Sequence, residues 1–476
     1  MSVFDSEYNE NQEFSKERSE LIQDFKKCEV IIESGDLISS VELLEDTFAH
    51  LIEEELYTEA LFILEALVEY APYNSDFWFQ KGTAHAIIDD YENALYCLER
   101  SLLLNPNDSE ALTEKAGALE NLHRPEEAEE AYNTALDFDP NNETLLFNFG
   151  LFYERQDKYS KAVELFEKLL TVNNQYYEAY FELGSCYDQM NRLDKALVIN
   201  DRFLEADPYN PGAYYNKAIV LGKLNRLEEA IANYDLAIAL KEDFASAWFN
   251  KGNLLADLGK LEEAIKCFKE TIKIERYDDA SYFNIANIYE EMNNWSFAIK
   301  YYTEAIKINE TYFEAYLSRG VCYEALESHA QALKDYKKAI ELSPENVEAW
   351  LAKAESEYSL GEFQNAITSY KKALTLDASN YDIWYNLAEI YLETGDWHEG
   401  IAAYNECIKL NPKDAQSYYG KAKVNIMLSR TTEALECLKS AFTLDPNIKN
   451  DFVNEYPDIK SSKIFKKLLG ENENCI

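Results

Sequence analysis

Bases are scarce in this chain. Against 88 Asp and Glu it holds 45 Lys and Arg, for a formal net charge of −43. A field of that sign repels nucleic acid and anionic membranes and draws in basic partners. Histidine is rarer still: among His50, His85, His123, His329 and His398 no two lie at metal-ligand spacing, and none has a nearby Cys. The eight cysteines form no CxxC pair. Their scatter reads as small apolar filling in a reducing compartment, not as a disulfide framework. There is no GxxxxGK[ST], no GxSxG and no glycine loop to cradle a phosphate. No catalytic residue, cofactor or metal is therefore expected, and the chain reads as no enzyme. No apolar run is long enough to span a membrane, and the opening MSVFDSEYNENQEF lacks the basic and apolar regions of a secretory signal. The expected location is the cytoplasm.

What the chain has instead is a period. Segments starting at residues 41, 75, 109, 143, 177, 211, 245, 279, 313, 347, 381 and 415 follow one another at 34 residues without insertion or deletion. The fourth position is large and apolar in every one, from Leu44 and Trp78 to Trp384 and Tyr418. The eighth is Gly or Ala in all but the first, where Phe48 stands, and the twentieth is Ala in all but one, where Gly400 stands. Proline takes the thirty-second position in seven repeats, as at Pro106 and Pro344. Large residues facing small ones let two short helices approach closely, and proline stops the second before the next begins. A strict period of this length means repeated supersecondary units stacked on their neighbours.

These positions resemble the tetratricopeptide repeat family over residues 41–448. The resemblance implies an all-α fold: a right-handed α-solenoid superhelix of antiparallel helix pairs, the first helix of each pair lining a concave groove. Around it, residues 1–14 are read as a disordered acidic N-terminus and 15–40 as a helical N-terminal cap. Residues 449–470 are read as a helical C-terminal cap and 471–476 as a frayed tail. Residues 1–40 hold ten acids and four bases, and 449–476 five of each, so the charge belongs to the repeats.

In the family, positions 2, 5, 6, 9, 12 and 13 line the groove. Position six is Asn at Asn148, Asn216, Asn250, Asn284 and Asn386, and Asn253 and Asn287 follow at position nine. A side-chain amide donates and accepts at once, so a ladder of them suits the backbone of an extended peptide. It resembles the asparagine ladder of the glycosyltransferase that attaches N-acetylglucosamine to Ser and Thr, although no catalytic domain is present to carry that activity over. Aromatics fill position five in eight repeats, among them Tyr215, Phe249, Phe283 and Tyr385, and suit either partner contact or lateral packing. The six positions together hold 22 acids, including Glu178, Glu182, Asp382 and Glu389, and three bases, Arg155, Lys223 and Lys423. Position seven is basic in seven repeats, as at Lys81 and Arg319. Whether those bases neutralise the groove depends on where they point. No repeat has Lys or Arg at positions two, five or six, which excludes the carboxylate clamp of the family's heat-shock co-chaperones.

The expected function is a protein–protein interaction scaffold taking extended, basic polypeptide in the groove, with neither nucleic acid nor membrane as partner. The alternative is a structural or assembly subunit that uses its convex face and edges.

Overall fold

The computed structural model describes residues 3–35, 37 and 40–457, the side chains of 3–17 and 19 excepted. Among the described residues there are twenty-six helices and no strand. Helix α1 (Val3–Ser34) begins within residues 1–14, the stretch read as a disordered acidic N-terminus; side chains are described on it from Arg18. Twelve pairs follow, from α2 (Val41–Glu53) with α3 (Tyr57–Tyr70) to α24 (Ala415–Met427) with α25 (Thr431–Leu444). Every first helix starts on the residue where the 34-residue segment starts. The short α26 (Ile448–Glu455) comes last. Residues 458–470 of the cap expected at 449–470 and the tail 471–476 lie outside the described residues.

The chain divides after Lys241 into two compact units, in the turn between repeats 6 and 7. Repeats 1–6 belong to the first and repeats 7–12 to the second.

Within each pair one turn recurs. The fifteenth position has φ between +54° and +82° in all twelve repeats, and nine of those residues are not glycine. The left-handed backbone closes the hairpin in at most three residues but crowds an L side chain, which costs about 1–2 kcal/mol. Glu327, at φ +55°, is such a residue. The variant Glu327→Gly is expected to gain about 0.5–1 kcal/mol, after the added freedom of the unfolded glycine is subtracted. A urea titration checks it. Between pairs, the N-cap side chain of the next first helix closes the turn: Asn74 accepts from the Asp76 N–H and Asn346 from the Ala349 N–H.

The core is built where small faces large. Alanine at position twenty is 0% exposed in all eleven repeats that have it. Position twenty-four supplies the bulk: Phe166, Tyr302 and Tyr404 are 0% exposed, and Phe268 1%. A Cβ added at Gly150 would fall 2.5 Å from the Phe166 ring. That is why the eighth position stays small.

The ends are covered in the same way. Leu21 and Cys28 of α1 are buried with Leu44, Phe48 and Leu51, which explains the bulk of Phe48 at a usually small site. Ile448 and Phe452 of α26 are buried with Tyr419 and Leu438. All seven described cysteines are buried, and none forms a disulfide among the described residues. Burial, followed by the nearby Glu154 and Glu290 carboxylates respectively, pushes the Cys186 and Cys322 thiols up to about 12.

Candidate functional site

The wall expected from the family is formed by positions 2, 5, 6, 9, 12 and 13 of the first helices. The position-five rings do not stand free on it. Phe249 lies edge-on to Phe268 at 5.6 Å, Phe283 packs on Tyr302 at 5.5 Å, and Tyr385 meets Tyr404 at 6.3 Å. Tyr215 packs likewise on Tyr234 at 6.0 Å. Each ring leans on the position-twenty-four aromatic of its own repeat and is half-buried there, so it forms the floor of the wall.

The amides are half-buried, apart from exposed Asn287. In the second unit the structure brings several of these groups together. Asn284 Nδ2 donates to Asn253 Oδ1 at 2.9 Å. The Tyr302 hydroxyl sits between Asn287 Oδ1, at 2.6 Å, and Glu290 Oε2, at 2.5 Å. Farther along, Asn386 Nδ2 reaches Glu355 Oε1 at 3.5 Å. Asn148 and Asn216 belong to the first unit.

Four of the seven position-seven bases turn to acids on second helices, and Lys353 pairs with an acid of its own helix. Lys81 pairs with Glu65, Lys115 with Glu99 at 3.2 Å and Lys217 with Asp201 at 2.7 Å. Each of these acids is at position twenty-five of the preceding repeat. Arg319 grips Asp335 with two bonds of 2.7 Å, and Lys353 reaches Glu357 at 2.9 Å. Lys251 and Lys353 also lie over Trp248 and Trp350, at 5.4 and 5.3 Å. Two of the three bases on the wall itself are matched by acids of the repeat before: Arg155 by Glu120 at 2.6 Å and Lys223 by Asp188 at 2.5 Å.

Carboxylates therefore meet carboxylates. Burial, and then the neighbouring Glu154, raises the Glu182 carboxyl from 4.5 to about 7. Burial and then Glu110 raises Glu114 as well. An acid raised this way holds its proton more firmly folded than unfolded, so its contribution to stability is lost as pH rises from 4.5 through about 7. Glu182→Gln, which does not ionise, is expected to gain melting temperature on the parent at pH 8 but not at pH 4.5. Thermal melts at the two pH values check it.

Family models of the tetratricopeptide repeat match residues 88–143, 154–216, 221–259, 243–311, 313–346, 354–395, 381–414 and 415–448. Together they take in well over half of the chain. The chain belongs to the tetratricopeptide repeat family. Proteins of this repeat are in general interaction scaffolds that bind protein partners and are typically non-catalytic. No curated protein matches this tetratricopeptide repeat protein. Among solved structures, it is similar to the C-terminal part of a TPR repeat-containing protein from Cytophaga hutchinsonii: TM-score 0.43, 18% identity, 58% of this chain and 98% of that one. The APC/C hetero-tetramer Cut9-Hcn1 aligns over 87% of this chain and 96% of its own, at 17% identity and TM-score 0.36. YrrB, described as a TPR protein with an unusual peptide-binding site, covers 38% of this chain and 92% of its own, at 21% identity and TM-score 0.34.

Sequence reasoning missed one contributor to the wall of this tetratricopeptide repeat protein. The buried position-twenty-four tyrosines send hydroxyls up through the floor, Tyr302 to Glu290 and Tyr404 to Glu389. Burial and then those carboxylates hold both phenols far above their usual range. The signal was present: a polar-tipped aromatic recurs at position twenty-four, with an acid at position nine or twelve of the same repeat to receive it. Among the described residues no helix is long and apolar enough to cross a membrane, and no group of His, Cys, Asp and Glu is placed to hold a metal ion.

Proposed function

We propose that the first-helix wall binds extended, basic segments of partner proteins, with the acids steering encounter and the asparagines holding backbone. One observation carries the reading. Five of the seven position-seven bases pair with acids outside the six wall positions, so they are not spent on neutralising the wall's own acids. Charge of one sign along a surface speeds association with the opposite sign and is screened by salt.

The amide geometry supports the second half. Once Asn284 Nδ2 is given to Asn253 Oδ1, Asn284 Oδ1 and Asn253 Nδ2 are left as one acceptor and one donor. That is what a peptide unit offers in reverse. Asn287, whose Oδ1 meets the Tyr302 hydroxyl, keeps its Nδ2 for a ligand carbonyl. Glu178 and Asp382 lie exposed on the wall and Glu182 and Glu389 half-buried in it, in reach of a lysine or arginine side chain. The wall holds no basic clamp for a terminal carboxylate, and its field disfavours nucleic acid and anionic membrane.

The test is fluorescence anisotropy of the full chain with a labelled, extended Lys-rich peptide across a salt series. Binding that weakens steeply with salt supports the reading; flat salt dependence sinks it. Changing Asn253, Asn284 and Asn287 together to Ala is expected to weaken the peptide about tenfold, at about 0.5 kcal/mol for each lost neutral hydrogen bond. Melting should stay within a degree or two of the parent. Unchanged affinity would remove the asparagines from the proposal.

A further inference from the structure

The second helices carry a different pattern. In the first unit, position twenty-five is acidic at Glu65, Glu99, Glu167, Asp201 and Asp235. Several of these acids are taken up internally: Glu65 by Lys81, Glu99 by Lys115, Asp201 by Lys217, and Glu167 by Arg202 at 2.8 Å. In the second unit the same position reads Lys269, Thr303, Lys337 and Lys371 in repeats 7–10. Position twenty-two adds Lys266, Lys300 and Lys334. All six of these lysines are exposed.

The exchange of acid for base has a local consequence. Lys353, at position seven of repeat 10, would face Lys337 where Lys81 faces Glu65. It turns instead to Glu357 and to the Ser369 hydroxyl, both within its own repeat. Arg319 likewise takes Asp335 of its own repeat, and Thr303 Oγ1 at 3.0 Å. Lys266, Lys269, Lys334 and Lys337 make no ion pair among the described residues. Their ammonium groups hold nothing in place, in a chain whose overall charge is strongly negative.

Around Lys334 and Lys337 the surface is hollowed. A cleft of about 480 Å³ is lined by Ile306, Tyr316, Arg319, Lys334, Lys337 and Lys338, with Asp335 and Glu341 as its acids. Asp335 is already bound by Arg319, and Glu341 by Lys338 at 3.0 Å. The cleft thus presents two uncommitted cations beside an aromatic ring and an aliphatic side chain.

We propose that this lysine ridge, on the second helices of repeats 7–10, docks an extended acidic segment of another protein, seated in the cleft at Lys334 and Lys337. Charge complementarity argues for an acidic occupant. The lysines recur from one second helix to the next, as pairs at Lys266/Lys269 and Lys334/Lys337 and singly at Lys300 and Lys371, so an occupant that meets more than one of these sites runs across successive helices as an extended chain, advancing about 3.3 Å per residue.

The experiment is anisotropy of the full chain with a labelled peptide carrying Glu at every third residue, against the double variant Lys334→Glu/Lys337→Glu. These side chains are exposed and without ion-pair partners, so the variant should fold, and circular dichroism confirms it. The parent is expected to bind, and the variant to lose at least about tenfold in affinity while its binding of the Lys-rich peptide is unchanged. Equal binding by parent and variant would overturn the proposal, as would no binding at all. So would binding of a single-stranded oligonucleotide or of anionic vesicles in place of the peptide, or a monomer–dimer equilibrium by sedimentation that the variant abolishes.

Discussion

Replacing Phe166 with alanine is expected to cost about 3–5 kcal/mol. The ring is 0% exposed, lies against the Cα of Gly150 and contacts Phe147 at 5.9 Å. Truncation leaves a hole that neither neighbour can fill, because Gly150 has no side chain and the first-helix backbone is held by its own hydrogen bonds. In a stack of repeats, stability is close to a sum of each repeat's own term and its two interfaces. The loss therefore falls on repeats 4 and 5 and uncouples their neighbours. A urea titration of the parent should be steep, and that of Phe166→Ala should begin earlier. Hydrogen exchange should place the first opening near residues 143–210. Unfolding at the parent's midpoint would mean that the position-twenty-four ring is dispensable, and with it the large-against-small account of the pairing.

That pairing is the part of the fold most open to reading in sequence. The period sets helix starts to the residue because each constraint is local: an N-cap at position thirty-four, a turn at fifteen, an alanine at twenty where two backbones touch. The turn shows the limit of the pattern. His123, Asn191 and Ser429 share its left-handed conformation with glycines, so composition alone does not mark it; position in the repeat does. For the candidate wall, positions can be named from sequence but what their side chains touch cannot. Lys81 and Lys353 occupy one repeat position, yet their partners, Glu65 and Glu357, lie on different helices. What decides is residue twenty-five of the preceding repeat, 16 positions earlier, Glu65 for one and Lys337 for the other. Coupling of that kind lies between repeats and is invisible to a column-by-column count. The aromatics of position five were open between partner contact and packing for the same reason: their neighbours at position twenty-four come from the other helix of the pair.

Reversing three exposed wall acids, as Glu314→Lys/Glu348→Lys/Asp382→Lys, is expected to weaken the Lys-rich peptide about 100-fold at low salt. The three acids recur at position two of consecutive repeats in the second unit and lie exposed. Exposed charge pairs are each worth about 1 kcal/mol at most. Three of them lost together come to about 3 kcal/mol, or roughly two factors of ten in affinity. Because these carboxylates pair with no base among the described residues, stability should change little, which a thermal melt run beside the titration verifies. The acidic peptide of the second-helix ridge serves as the internal control, since its lysines are untouched by the reversal. Should the triple variant hold the Lys-rich peptide as tightly as the parent, the acids of this wall act on solubility alone. Should it lose both peptides together, the change has disturbed the unit rather than the site.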